Sequence, residues 1–232
     1  MHGRRRRFTP VAGIVLLLLL GAGIAASGGR FAAVRVRPAD AAELTLFPSG
    51  AWLAEASLGY RHLVADFAWI TAIQYYGRHR QADRRYPLAA HLMRIVTDAD
   101  PRFESAYLFG ALVLVENGQH DRAAELLAKG VRANPRSWRL WFELGFFHYI
   151  FTRSWTEATR ALRIAARLPG AADYVRRLAA AAAERAGDAA TAVRLWETIA
   201  TESGNEEIRR IARDRLARLQ SGPTNGRRVG PR

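Results

Sequence analysis

The sequence predicts an all-α chain, a solenoid of about four helix–turn–helix units behind an N-terminal transmembrane helix. Three observations carry that expectation. Pro101, Pro135 and Pro169 stand 34 residues apart, and each closes an amphipathic helical stretch. The run from Trp141 to His148, WFELGFFH, places a large aromatic, a Leu-Gly pair and a His at helical spacing just after the middle proline. Four arginines, Arg4 to Arg7, precede a largely apolar run from Phe8 to Ala26.

A chain of 232 residues is long enough to bury a sizeable core, and half of its residues are hydrophobic. It contains no Cys, which excludes disulfide frameworks, thiolate metal sites and lipid attachment through an N-terminal Cys. The net charge is +14, but it is unevenly placed. Residues 1–40 carry +6, residues 209–232 carry +7, and the stretch between them only +1. Lys129 is the only Lys, so the Arg bias runs through the whole chain. A nucleic-acid partner is not expected, because such domains carry a basic face on the fold itself.

Residues 1–27 read as a cytoplasmic basic stub followed by a membrane helix or signal. Nineteen residues of helix, Phe8 to Ala26, rise about 28 Å, close to the thickness of a bilayer's hydrocarbon. Charge inside hydrocarbon costs several kcal/mol, so the arginines stay inside and the body is exported. A buried core helix is a third reading, which the polybasic flank argues against, and two forms of the membrane reading stay open. One is a retained single-pass anchor; the other is a signal cleaved near Ala25-Ala26-Ser27, leaving a periplasmic or secreted protein. Arg5-Arg6-Arg7-Phe8 also fits the R-R-x-F pattern of twin-arginine signals, although the Leu16 to Leu20 block is more hydrophobic than those signals need.

Residues 28–48 form a linker in which Pro38 discourages helix. Ser49 is placed to cap the next helix. Ala51 to Tyr76 reads as one continuous helix, too long for a single repeat helix. Its first part, 49–69, is therefore expected to act as an N-terminal cap. The repeat body spans 70–203, a capping helix follows over 204–220 with Ile208, Ile211, Ala212, Leu216 and Leu219 on one face, and 221–232 is a Gly/Pro/Arg-rich tail.

With each closing proline as position 32, unit two starts at Glu104. It carries Tyr107, Gly110, Ala111 and Leu114 on its first helix and Ala123, Leu127 and Gly130 on its second. Asn117 to Asp121 makes the turn, and Gly118 supplies a positive φ. Unit three carries Trp141, Leu144, Gly145 and His148, then Ala158, Leu162 and Ala165 one place late. A turn one residue longer is therefore expected near Arg153-Ser154. Unit four reads Val175, Leu178, Ala179 and Ala182, then Ala192, Trp196 and Ile199 with the same delay. Unit one reads Ile73, Tyr76 and Gly77, then Ala89, Met93 and Val96.

The 34-residue period and W-x2-L-G-x2-H resemble the tetratricopeptide repeat (TPR), a helix–turn–helix unit that stacks into a solenoid. The opening FPSG, ASLGY and ADFAWITAIQYYG is similar to bacterial membrane-anchored TPR proteins of unassigned role. The resemblance implies packing roles for Tyr107, Gly110, Ala123, Trp141, Leu144, Gly145 and Ala158. It also implies a concave face lined by first-helix positions 2, 5, 9, 12 and 13. In unit three those positions are Arg139, Phe142, Phe146, Tyr149 and Ile150. In unit two they include Leu108, Leu112 and Val115, and Arg176 continues the series into unit four. The expected groove has an apolar centre in unit three and polar ends. An apolar surface of that kind marks a binding site for another protein, or is covered by the linker or by a second copy of the chain.

Chemistry is scarcely signalled. His62 and Asp66 lie four apart on one helical face, with no third ligand to make a metal site. His148 falls at a packing position. No zinc-protease, phosphate-loop, nucleophile-elbow or dinucleotide pattern occurs. The expectation is a non-catalytic envelope scaffold without cofactor or metal. It docks protein partners through the groove and meets the membrane through residues 8–26. A polyanion-binding protein acting through its Arg-rich termini is the alternative.

Overall fold

The computed structural model describes residues 59–221, so the expected membrane segment, linker and C-terminal tail lie outside the described residues. Among the described residues there are nine α-helices and no strand. They are α1 Arg61–Gln81, α2 Ala89–Ala99, α3 Glu104–Glu116, α4 His120–Ala133, α5 Trp138–Phe147, α6 Trp155–Arg167, α7 Asp173–Arg185, α8 Ala189–Glu202 and α9 Glu206–Gln220. Each helix packs on the next in chain order, giving four antiparallel pairs and a final single helix. None of these helices is long and apolar enough to cross a membrane.

Three helix starts, those of α5, α8 and α9, carry short polar side chains that satisfy otherwise orphaned N–H groups. Ser137 Oγ accepts from Leu140 N at 3.2 Å, and Asp188 Oδ1 accepts from Thr191 N at 3.0 Å. Asn205 Oδ1 accepts from both Glu207 N and Ile208 N, at 2.9 and 3.3 Å. The turns inside units two and four pass through Gly118 and Gly187 at φ +71° and +75°, a region costly for residues with a Cβ.

The proline period has a hydrogen-bonding counterpart. Tyr107 Oη donates to the carbonyl of Pro101 at 3.2 Å, and Trp141 Nε1 donates to the carbonyl of Pro135 at 3.0 Å. Both donors occupy the fourth position of their unit, six residues beyond the proline. Unit four has Val175 there, which has nothing to donate.

Small residues let the helices approach closely. A Cβ on Gly145 would lie 2.6 Å from Leu162 Cγ and 3.0 Å from the Leu162 backbone nitrogen. Ala158, Leu162, Ala179 and Ala182 are fully buried where units three and four meet. Burying one Leu in this way stabilises the fold by about 1.5–3 kcal/mol before entropy is counted. Behind them, Ala180, Ala183, Ala192, Trp196 and Ile199 pack on Ala212 of α9, with Ile208, Leu216 and Leu219 around the edge.

Two expectations about boundaries change. Helix α1 runs unbroken from Arg61 to Gln81, across the boundary expected at 69/70 between the capping segment and the repeat body, and the rest of the expected cap, 49–58, lies outside the described residues. Gly59, at φ +99°, and Tyr60 precede the start of α1 at Arg61, so the helix expected over Ala51 to Tyr76 is not continuous through them. The chain also exposes Leu63, Phe67, Ile70 and Ile73 on α1, while Ala65, Ala68, Ala72, Tyr75 and Tyr76 are buried. Ile73 and Gly77, expected to pack inside unit one, thus give way to these alanines and tyrosines.

The extra residue of unit three is accommodated within the end of its first helix. A π-helical turn, His148–Thr152, continues α5, and Arg153 then takes a left-handed conformation at φ +52°. One inserted residue widens the local hydrogen-bond ring, which is how π turns arise.

Candidate functional site

The first-helix surface of units two and three holds most of the residues expected to line a groove. Position nine of the repeat is Leu112 in unit two and Phe146 in unit three, and these side chains are 60% and 36% exposed. Phe146 stacks on Phe142 with ring centroids 5.7 Å apart. Phe142 in turn meets Tyr174 edge-on at 5.3 Å and Trp138 at 6.4 Å. Arg139, on the same helix, is exposed and sets its guanidinium 5.5 Å from the Trp138 ring. The result is a run of aromatic rings crossing from α5 to α7, with a cation at one end. Such rings carry a large apolar area with few rotatable bonds, so they suit recognition.

Other expected groove residues have been given different work. Tyr149 is half-buried, with Trp155 at 5.4 Å and the Arg185 guanidinium at 5.0 Å from its ring. Its role is to tie the π turn to α7. Leu108 and Val115 are half-buried, while Ile150 is exposed on the π turn. In unit four the series ends: Ala180 and Ala183 are fully buried under α9, so the expected polar end of the groove is closed there. Arg176 faces a cleft between α6, α7 and α8 and donates to Glu202 at 2.8 Å.

The packing residues are distributed as follows. Tyr107, Gly110, Ala123, Gly145 and Ala158 are buried, whereas Trp141 and Leu144 are half-buried. These two line a cleft of about 190 Å³ between α4 and α6, together with His148 and Glu157. His148 is half-buried there and hydrogen-bonds Thr152 Oγ1 at 3.1 Å; burial lowers its pKa. Burial raises the pKa of Tyr107 to about 12 and pushes the Glu143 carboxyl upward.

His62 does not pair with Asp66. Its Nδ1 lies 3.0 Å from Asp100 Oδ2, beyond the end of α2. Beside it, Arg61 Nε donates to the Ala99 carbonyl at 3.1 Å. Both contacts fasten the start of α1 to the C-terminal end of α2, where a cation is favoured by the helix dipole. Among the described residues no three His, Asp or Glu side chains are grouped to hold a metal ion.

Sequence reasoning missed several participants. Tyr174 joins the aromatic run although it stands at position three, which the repeat register does not assign to the groove. Phe151 is 43% exposed and stacks on His120 at 5.3 Å, a contact created by the π turn. Leu140 and Phe147 are buried. Their equivalents Ala106 and Val113 in unit two are buried too, so a comparison of positions three and ten could have found them.

Two overlapping stretches, residues 77–137 and 110–151, match the model of the tetratricopeptide repeat family. No curated protein matches the sequence at a significant level.

Proposed function

We propose that this chain, whose residues 77–151 match the tetratricopeptide repeat model, is a non-catalytic scaffold that docks a protein partner on the first-helix surface of units two and three. The supporting observation is the exposure of Leu112 and Phe146 at the same repeat position, beside the rings of Phe142, Trp138 and Tyr174. Water-facing rings supported from behind by other rings are typical hot-spot anchors, and an apolar helix face or extended segment is what they grip. Ile150 and Arg139 extend the surface at either end, one apolar and one cationic.

The scaffold is tethered to the membrane through residues 8–26, held in orientation by Arg4 to Arg7, with the repeats displayed outside the cytoplasm. Its partner belongs to an envelope assembly such as a secretion, pilus, polysaccharide-export or transporter complex. Tethering raises the effective concentration of the groove toward partners in the same bilayer. This part of the reading rests on the sequence pattern of the N-terminal residues.

The test is co-purification of the tagged full-length protein from mildly solubilised membranes, followed by mass spectrometry. A stoichiometric membrane-associated component that disappears with Leu112→Ala plus Phe146→Ala supports the reading. These side chains are exposed, so helicity should be unchanged. Retention of the same component by the double variant overturns the docking surface. Recovery of only salt-labile polyanions, lost on deleting 221–232, transfers the function to the Arg-rich tail.

A further inference from the structure

Successive second helices of the stack are separated by equivalent clefts, and one of them differs in charge from the others. The first lies between α2 and α4, the second between α4 and α6, the third between α6 and α8. Their linings are in repeat register. Arg94, Thr97 and Asp98 of the first become Ala128, Val131 and Arg132 in the second. They become Arg163, Ala166 and Arg167 in the third. On the opposite wall, Arg122 and Glu125 become Glu157 and Arg160, then Thr191 and Arg194.

Each of the first two clefts therefore mixes acid and base. The first holds an internal ion pair, Lys129 Nζ to Asp98, with the ammonium also bonded to Thr97 Oγ1 at 2.7 Å. The third has no carboxylate in its lining, and carries Arg163, Arg167, Arg176 and Arg194 with the hydroxyls of Thr191 and Thr198. It is also the largest, about 470 Å³ against 270 and 190 Å³. A single bound water needs only about 10–15 Å³ measured in this way. The repeat supplies the reason for its size: where unit three places Trp141 and His148, unit four places the smaller Val175 and Ala182.

Two nearby carboxylates are already engaged. Asp188 is bonded to Thr191 N at the start of α8, with Arg163 and Arg194 further holding its pKa down. Glu202 is bonded to Arg176. Arg194 donates to Thr191 Oγ1 at 2.9 Å, a neutral partner. Among the described residues Arg163 and Arg167 have no ion-pair partner. Guanidiniums that share one cleft with only partial compensation, Asp188 acting on Arg163 and Arg194 and Glu202 bonded to Arg176, repel each other, and an anion entering between them lowers that cost. Guanidinium forks and hydroxyl donors match the several oxygens of a phosphoryl group better than a single carboxylate.

We propose that the cleft between α6, α7 and α8 is a binding site for a phosphoryl-bearing anion, with Arg163, Arg167 and Arg194 as its principal ligands. The site is separate from the aromatic docking surface and does not depend on it. It also differs from attraction to the Arg-rich tail, because its donors sit on the folded helices. Two sources of the group fit the chemistry, a soluble polyphosphate and a phospholipid headgroup.

The experiment uses the full-length protein in mild detergent, titrated calorimetrically with sodium tripolyphosphate at low salt. A parallel arm measures capture by vesicles of phosphatidylcholine with phosphatidic acid, against phosphatidylcholine alone. Arg163→Ala plus Arg167→Ala should weaken binding of the effective probe at least tenfold, and Arg194→Ala should do so on its own. Circular dichroism checks that both variants keep their helices. Removing residues 222–232 should leave the affinity unchanged. Loss in the tripolyphosphate arm assigns a soluble ligand, and loss confined to the vesicle arm assigns a headgroup. Binding of neither probe overturns the proposal. So does equal binding by wild type and variants, or binding abolished by removing the tail.

Discussion

Tyr86 and Asn117 exchange two hydrogen bonds across a separation of 31 residues: Tyr86 N donates to Asn117 Oδ1, and Asn117 Nδ2 donates to the Tyr86 carbonyl, each at 3.2 Å. The tyrosine closes the loop of unit one, and the asparagine caps the end of α3. The Tyr86 hydroxyl donates to Glu116 at 3.3 Å, and Tyr76 donates to the same carboxylate at 2.9 Å. One loop of the first unit is thereby fixed on the second by a side chain that imitates backbone pairing.

Replacing Asn117 with Ala should cost about 2 kcal/mol, roughly 1 for each hydrogen bond. Asn117→Asp keeps the acceptor but loses the donor and should cost about half as much. Urea denaturation followed by circular dichroism measures both. Equal stability of the wild type and the Ala variant would show that water replaces the pair without loss.

The bonds from position four to the preceding proline predict matched losses in two units. Tyr107→Phe should cost about 1 kcal/mol, through the lost bond to the Pro101 carbonyl, which keeps the one it accepts from Asn134 Nδ2 at 2.9 Å. Trp141→Phe should cost at least as much, since it also gives up packing area. Val175→Ala, with no such bond to lose, isolates the packing part. Unchanged stability of Tyr107→Phe would discount the bond.

Close approach makes Gly145 and Gly110 unequal. A Cβ on Gly110 meets only flexible side chains, Leu126 at 2.7 Å and Met93 at 2.8 Å, which can swing away. One on Gly145 also meets the backbone of Leu162 at 3.0 Å. Gly145→Ala should therefore destabilise by about 1–3 kcal/mol, the usual range for overpacking, and Gly110→Ala by less. Thermal melts of the pair decide it; the reverse order would place the tighter interface in unit two.

His148 gives stability a pH dependence of definite sign. Its folded pKa is lowered below the ordinary 6.5, mainly by burial, with Glu157 opposing. Between the two values the unfolded chain binds the proton and the folded chain does not. Stability therefore falls as pH drops through about 6.5 and levels off once the folded pKa is passed. Glu143 acts in the opposite sense at lower pH, because burial raises its carboxyl pKa and favours the folded state while the group is protonated. The melting temperature of His148→Asn should change less than that of the wild type between about pH 7 and 5. Parallel curves would remove His148 from the account.

The period of the prolines made the helix pairs legible, because a proline ends a helix by local sterics alone. Gly118 and Gly187 were readable in the same way, since positive φ is a property of single residues. The delay in unit three was visible as a shift of Ala158, but its form as a π turn depends on how Tyr149 packs against Trp155 and Arg185. The outer face of α1 misled, because Leu63, Phe67 and Ile73 look like core residues until the alanines opposite are seen to be the buried ones. Groove membership was the least legible. Ala180 and Phe146 share a repeat position, and only the placement of α9 decides that one is covered and the other open. The basic cleft escaped notice because charge summed over 41–208 is almost zero, while charge within one cleft is not.

Helix α9 also bears on how such a chain could change in length. It seals Ala180 and Ala183 with Ala212, Ile208 and Leu216, surfaces that a further repeat would otherwise use. A duplicated unit spliced after α8 would have to evict α9 or meet it as an obstacle. A unit inserted between α2 and α8 would find a compatible neighbour on each side. Lengthening of this gene by duplication is thus permitted in the interior and penalised at the rear, and a designer adding binding surface should work from the middle outward.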